Sequence, residues 1–255
     1  MKEQLLKKAG LTGDLNAKTA IITGAAGGIG QAVADAFFEA GANVFAVDQS
    51  EIPRQKDPEK EGTYICHVAD VSCASSVDTM IKKCLNDIGP PDILINIAAI
   101  STPCPVGDMT LDNWNHNLDV NLTSVFLCSQ AVLPYMIELG RGCIINFSSM
   151  IARTGGETSA HYSAAKSGIE GFSRSLAREV GPAGIRINVI APGMIDTPML
   201  ELMPQTQLQK LIKRIPLRRV GNPHDIVGIT LLLASDAGNY ITGQTFHING
   251  GLYMN

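Results

Sequence analysis

The sequence has no excess of basic residues: 20 Lys and Arg stand against 24 Asp and Glu, a formal net charge of −4. Proteins whose main partner is a nucleic acid carry a strongly basic face, so that class is excluded. The one basic cluster, Lys213-Arg214 with Arg218-Arg219, reads as a solvated or subunit-contact surface. The six cysteines (Cys66, Cys73, Cys84, Cys104, Cys128 and Cys143) include no C-x-x-C pair, and His67, His116, His224 and His247 show no H-x-x-x-H or Cys/His spacing. A zinc site needs close ligand pairs and a secreted disulfide framework needs a shorter, denser chain, so no metal or disulfide scaffold is expected. Reduced, mostly buried thiols in a cytoplasmic protein are expected instead. No stretch approaches about 18 uninterrupted apolar residues, which leaves no membrane span. Residues 1–13 (MKEQLLKKAGLTG) lack the apolar core of a signal peptide.

What is present is core-forming material. Apolar residues make up 45% of 255 positions, enough to bury a substantial core. A short apolar run, Thr19–Ile22, breaks into Thr23-Gly-Ala-Ala-Gly-Gly-Ile-Gly30. Helical periodicity follows through Val33, Phe37 and Phe38 as far as Gly41, and a second run, Asn43–Val47, ends at Asp48. Strand, Gly-rich turn, helix and strand form a βαβ unit. The rhythm continues with strand-like runs at Tyr64–Val68, Ile93–Ile97, Gly142–Phe147, Ile185–Ile190 and Thr245–Ile248. Helix-length patterns lie between them, around 75–88, 111–139, 160–181 and 223–234. Such alternation predicts an α/β fold: a single Rossmann-like, doubly wound parallel sheet with helices on both faces. The polar loop 51–62 (EIPRQKDPEKEG) is too short for a domain boundary, so residues 1–255 read as one dinucleotide-binding and catalytic domain.

The turn Gly24-x-x-x-Gly28-Ile29-Gly30 sits between a strand and a helix. Glycine lets the backbone approach a pyrophosphate, and a helix N-terminus offers unpaired N–H groups and the positive end of a dipole. Asp48 ends the second strand, eighteen residues after Gly30, and is followed by Gln49, Ser50 and Glu51 rather than by a base. A carboxylate there accepts hydrogen bonds from ribose hydroxyls and repels a 2′-phosphate, which favours NAD over NADP.

Tyr162-Ser-Ala-Ala-Lys166 places a phenol and an ammonium at i and i+4, on one face of a helix. A free Tyr titrates near 10, and bringing it to neutrality needs about 4 kcal/mol, to which a fixed cation contributes. Neighbouring His161 points about 100° away on a helix, which suits packing or a substrate wall. With the Thr23–Gly30 turn, Asn121, Ser149 and Pro192-Gly193 in this order and spacing, the sequence resembles the short-chain dehydrogenase/reductase family over nearly its whole length, from about Lys18 to Gly251. Ser149 precedes Tyr162 by the family's usual thirteen residues, ahead of Ser148 as the catalytic serine.

The resemblance implies the following roles. Tyr162 is general acid/base, Ser149 binds the reacting oxygen, Lys166 holds the nicotinamide ribose and lowers the tyrosine pKa, and Asn121 holds a water linking Lys166 to solvent. Asp70-Val71 is similar to the pair that meets adenine. Asn96-Ile-Ala98-Ala99 is similar to the family's Asn-Asn-Ala-Gly, with Ile97 and Ala99 departing from it. Pro192-Gly193-Met-Ile195-Asp-Thr197 resembles the segment that holds the carboxamide. Arg153 and Glu157 occupy the stretch where the family places substrate-facing residues. Met194, Met199, Leu200, Leu202 and Met203 fall where it has an apolar lid, and Trp114 and Phe126 read as core or subunit contacts.

The leading expectation is an NAD-dependent oxidoreductase of a secondary alcohol or ketone. A small polar polyol, sugar or sugar acid is expected as substrate, because NAD suits catabolic oxidation and 100–108 (ISTPCPVGD) is short and partly polar. One alternative is a 3-oxoacyl-thioester reductase, against which Asp48 counts because such reductases usually use NADPH. The other is a non-catalytic NAD-binding sensor. Family members are commonly homotetramers built through the two long helices around 111–139 and 160–181 and the C-terminal segment, and the same is expected here.

Overall fold

The computed structural model describes residues 14–52, 62–201 and 205–254; residues 1–13, most of the 51–62 loop, and Leu202 and Met203 lie outside them. Buried β-branched and aliphatic residues make the centre of the molecule. Strand β1 (Thr19–Thr23) is buried along its whole length and pairs in parallel with β2 (Asn43–Asp48) on one side. Strand β3 is Tyr64–Val68, and β4 (Ile93–Asn96) pairs with the other side of β1. With β5 (Gly142–Phe147), β6 (Ile185–Pro192) and β7 (Thr245–Ile248) the order is β3-β2-β1-β4-β5-β6-β7, and every pairing is parallel. The reversal between β1 and β4 is the switch point at which ligands bind in open α/β sheets.

Helix α1 (Gly28–Glu39) buries Val33, Ala34, Phe37 and Phe38 against one face of the sheet, where α7 (His224–Ala234) also packs; in the order of the chain the other α-helices of eight residues or more among the described residues are α2 (Ala74–Asp87), α3 (Leu111–Leu118), α4 (Ser124–Leu139), α5 (Ala160–Val180) and α6 (Gln205–Ile212). On the opposite face α2, α4 and α5 cover Ile21, Phe45, Leu94, Ile144 and Ile187 through residues such as Met80, Val132 and Leu176.

The helix expected over 111–139 is broken. Thr110 caps α3 in a reciprocal box with Asn113, and a π-helical turn, Asp119–Thr123, separates α3 from α4. Single π turns inside α-helices are frequent at functional sites. Leu111–Leu139 is long and apolar enough in composition to span a bilayer, yet Val125, Cys128, Val132 and Met136 are buried inside the protein, as are Asn117 and Asn121. The thiols divide evenly rather than being mostly buried: Cys84, Cys128 and Cys143 are buried, Cys104 is intermediate, and Cys66 and Cys73 are exposed.

Candidate active site

A cavity of about 490 Å³ opens along the C-terminal ends of the parallel strands. Its first wall is the turn after β1. Gly24 has φ +72°, and a Cβ there would stand 2.7 Å from the Ala98 nitrogen; one at Gly30 would stand 2.0 Å from the Gly24 carbonyl oxygen. Both glycines are therefore dictated by close backbone approach. No side chain caps the N-terminus of α1, and Gly28, Ile29 and Gly30 line the cavity. That arrangement fits a dinucleotide pyrophosphate.

Asp48, at the end of β2, also lines the cavity. Its Oδ2 accepts from Ala26 N at 3.0 Å and its Oδ1 from Ser50 N at 3.1 Å, so the carboxylate is oriented by main chain. Val47, Gln49, Ala69, Asp70 and Val71 complete this end. The Asp70 carboxylate is turned back on its own loop, accepting from Ser72 N at 2.9 Å and Ser72 Oγ at 2.6 Å. Sequence reasoning missed Val47 and Ala69, which look like ordinary strand residues until the neighbouring strand ends are brought beside them.

Ser149, Tyr162 and Lys166 meet at the floor. The Ser149 hydroxyl, which accepts from Ile151 N at 3.3 Å, favours ionisation of the Tyr162 phenol, and burial outweighs it, pushing the phenol up to about 12. Lys166 is 2% exposed. Its Nζ donates to Phe147 O at 2.9 Å and lies 5.6 Å from the Tyr162 ring centroid, and burial pushes the ammonium down to about 7. His161 is fully buried, its Nδ1 accepts from Tyr162 N at 2.9 Å, and it does not line the cavity. It packs. Pro192, Gly193, Ile195 and Thr197 line the far wall with Met194, Pro198 and Leu200; Ile100, Ser101, Val120 and Ile151 face the same space.

Four sequence expectations are placed elsewhere. The Asn121 amide is spent on protein: Oδ1 accepts from Ile100 N, and Nδ2 donates to Ile100 O, Asn117 O and Asn117 Oδ1. That side chain positions a wall residue of the cavity. Asn96 points into the sheet, where its Nδ2 donates to Asn146 Oδ1 at 2.8 Å and Asn146 donates to Ser173 Oγ at 2.9 Å; Ile97 and Ala98 line the cavity in its place. Arg153 is turned to Glu170, with Nη2 at 2.6 Å from Oε2, because a buried carboxylate attracts the nearest cation. Glu157 is exposed and outside the lining.

Residues 24–253 match the family described as enoyl-(acyl carrier protein) reductase. The chain is 37% identical over 242 residues to the 3-oxoacyl-[acyl-carrier-protein] reductase of Vibrio cholerae, covering 94% of this chain and 99% of that one. It is 38% identical over 245 residues to the enzyme of the same name from Haemophilus influenzae, covering 94% and 100%. In structure it superimposes, with a TM-score of 0.86 and 30% identity, on a short-chain dehydrogenase/reductase of glucose/ribitol dehydrogenase type from Brucella melitensis, covering 95% of this chain and 99% of that one. The near-full-length relatives overturn the expectation of a polyol, sugar or sugar-acid substrate in favour of the acyl-thioester alternative. The physical reason lies in the walls, where Ile100, Ile151, Met194 and Leu200 offer hydrocarbon and few polar partners for a chain of hydroxyls. The doubly wound parallel sheet, the uncapped glycine turn and the Ser149–Tyr162–Lys166 floor agree with these matches, and the chain belongs to the short-chain dehydrogenase/reductase family of nicotinamide-dependent oxidoreductases.

Proposed function

We propose that this protein reduces the ketone of a 3-oxoacyl thioester to the corresponding 3-hydroxyacyl thioester, with NADH as its preferred reductant. One arrangement carries the reading: Ser149, Tyr162 and Lys166 meet at the floor of a cavity whose other walls include Ile100, Ile151, Met194 and Leu200. The Tyr162 phenol, pushed up to about 12 by burial, holds its proton at neutral pH beside the Ser149 hydroxyl. Reduction of a ketone consumes a proton at oxygen and needs a loaded acid, whereas oxidation of an alcohol needs the phenolate. The substrate class is supported by the apolar walls and by the names of the relatives.

When bound, the reduced nicotinamide supplies a hydride to the carbonyl carbon. The chain does the rest. Ser149 donates to the carbonyl oxygen and strengthens that bond as charge develops there. Tyr162 passes its proton to the same oxygen. The phenolate left behind is stabilised by the Lys166 ammonium 5.6 Å from its ring. Ile100, Ile151, Met194 and Leu200 exclude water from these steps and hold the acyl chain by dispersion.

The preference for NADH rests on Asp48. Its carboxylate can accept from ribose hydroxyls, while a 2′-phosphate would meet like charge. Among the described lining residues Lys166 is the only cation, and it lies at the catalytic floor. A homotetramer built through α4 and α5 is part of the same reading. Phe126 is 42% exposed and stacks edge-on against Phe172 at 6.3 Å, and Ile137 on α4 is 52% exposed.

The test is consumption of reduced nicotinamide by the purified protein offered acetoacetyl thioesters of coenzyme A and of an acyl carrier protein. Turnover with NADH well above that with NADPH is expected. Failure to consume either cofactor with both thioesters would refute the substrate reading, and a preference for NADPH would refute the role of Asp48.

A further inference from the structure

Glu170 is a carboxylate that the chemistry above does not use, and it is 2% exposed. It sits on α5 one turn beyond Lys166. Its Oε2 faces Arg153 Nη2 at 2.6 Å and Arg174 Nη1 at 3.9 Å, and its Oε1 lies 3.2 Å from Ser148 Oγ. The single proton of that hydroxyl is shared between Glu170 and Lys166 O, the latter at 2.9 Å. The same helix grips the intervening segment twice more. Ser163 Oγ donates to Ile151 O at 3.1 Å and Ser167 Oγ to Ala152 O at 2.9 Å. Ser163, Ser167, Glu170 and Arg174 follow one another at spacings of four, three and four, a single stripe beside the Tyr162–Lys166 row.

Ser149 lies inside this grip. Ser148 is held before it and the single helical turn Ile151–Thr154 after it, while Tyr162 and Lys166 ride on the gripping helix itself. Ser149 is the one member of the floor triad that α5 does not carry, so its distance from the phenol depends on how the 148–154 segment is tied to that helix. Neutral hydroxyl–carbonyl bonds are individually weak, because folding only exchanges them for bonds to water. A buried carboxylate is far more demanding, because leaving it without its cation is strongly destabilising. Its demand for Arg153 therefore sets the register of the segment more firmly than the two serine bonds do.

We propose that the Arg153–Glu170 ion pair is a positioning device which holds the Ser149 hydroxyl against the Tyr162 phenol, and that Arg153 does not contact substrate. The inference rests on the Ser149–Tyr162 reading above, and the experiment separates the two. Glu170→Gln, Arg153→Met, Arg153→Lys and the Glu170→Gln/Arg153→Met double variant are assayed with NADH and acetoacetyl-coenzyme A, beside Ser149→Ala and Ser149→Ala/Glu170→Gln. A displacement of about 1 Å at a reacting group costs on the order of 100-fold in rate. We expect kcat to fall about 10- to 100-fold in Glu170→Gln and Arg153→Met, with KM and NADH affinity within about twofold of wild type. The double variant should be no slower than either single one, Arg153→Lys should recover most of the rate, and Glu170→Gln should add nothing once Ser149 is Ala. Crystal structures of wild type and Glu170→Gln supply a reading that needs no turnover, the Ser149–Tyr162 hydrogen bond being present in the first and lengthened in the second. An unchanged bond in Glu170→Gln overturns the inference. So does a rise in KM at constant kcat in Arg153→Met, which would return Arg153 to the substrate, or a loss of thermal stability with wild-type kcat. If Ser149→Ala itself turns over at the wild-type rate, the Ser149–Tyr162 reading fails, and the positioning role falls with it.

Discussion

Asn121 holds Ile100 by both ends of its main chain, accepting from Ile100 N at 3.2 Å and donating to Ile100 O at 3.0 Å. Asn121 lies in the π turn Asp119–Thr123, and its amide reaches the segment after β4 while also donating to Asn117 O one turn back. A helix-interior residue is thereby made to shape the wall of the active-site cavity. Asn121→Ala leaves Ile100 N and O without this buried partner, at a cost of about 1–3 kcal/mol for each group left unsatisfied. A drop of that order in denaturant-unfolding free energy is expected, together with reduced reductase activity. A variant as stable as wild type would mean that Ile100 finds other partners.

Removing the phenol hydroxyl should abolish the chemistry without emptying the cofactor site. Tyr162→Phe loses a general acid, a contribution of about 100- to 10,000-fold, while NADH binding followed by fluorescence stays close to wild type. Retained turnover would assign the proton to another group.

Asp48→Ser removes the charge that stands against a 2′-phosphate. Juxtaposed like charges cost several kcal/mol, so the ratio of kcat/KM for NADH over NADPH should fall by about 100-fold, chiefly through gain with NADPH. An unchanged ratio would place the discrimination at another residue.

Reduction should weaken as pH rises through about 7. Burial lowers Lys166 to about 7, so its ammonium is charged below that value and neutral above it, while Tyr162, at about 12, remains a loaded acid throughout. The cation stabilises the phenolate left by proton transfer, so kcat/KM is expected to be level below about pH 7 and to decline above it. A profile that stays flat well above that value would remove the Lys166 charge from the reaction.

The thiols provide a check on the fold itself. Exposed Cys73, whose thiol is lowered chiefly by its hydrogen bond with Ser75, and exposed Cys66 should react with a bulky disulfide reagent in the native protein. Buried Cys84 and Cys128, both pushed up to about 12 by burial, and buried Cys143 should react only on unfolding. Rapid modification of all six would contradict the packing of α2 and α4 on the sheet.

The strand–turn–helix rhythm made the parallel sheet legible in the chain, because strands buried on both faces must be short apolar runs and glycines must stand where the backbone turns under a helix. Gly24, Gly30, Asp48 and the Tyr162–Lys166 pair were legible for the same reason: each is a residue type demanded by local geometry or by chemistry at a fixed helical spacing. The partners of Asn96, Asn121 and Arg153 were not. Their side chains are aimed by groups 50, 21 and 17 positions away, Asn146, Ile100 and Glu170, which no local pattern brings together. The cavity walls came from segments spread between Gly24 and Leu200, so the apolar character that disfavours a polyhydroxy substrate existed only after folding. Local sequence dictated the elements and the reacting groups, and tertiary packing decided where each polar side chain found its partner, because a buried hydrogen bond or ion pair is settled by proximity in space and not by distance along the chain.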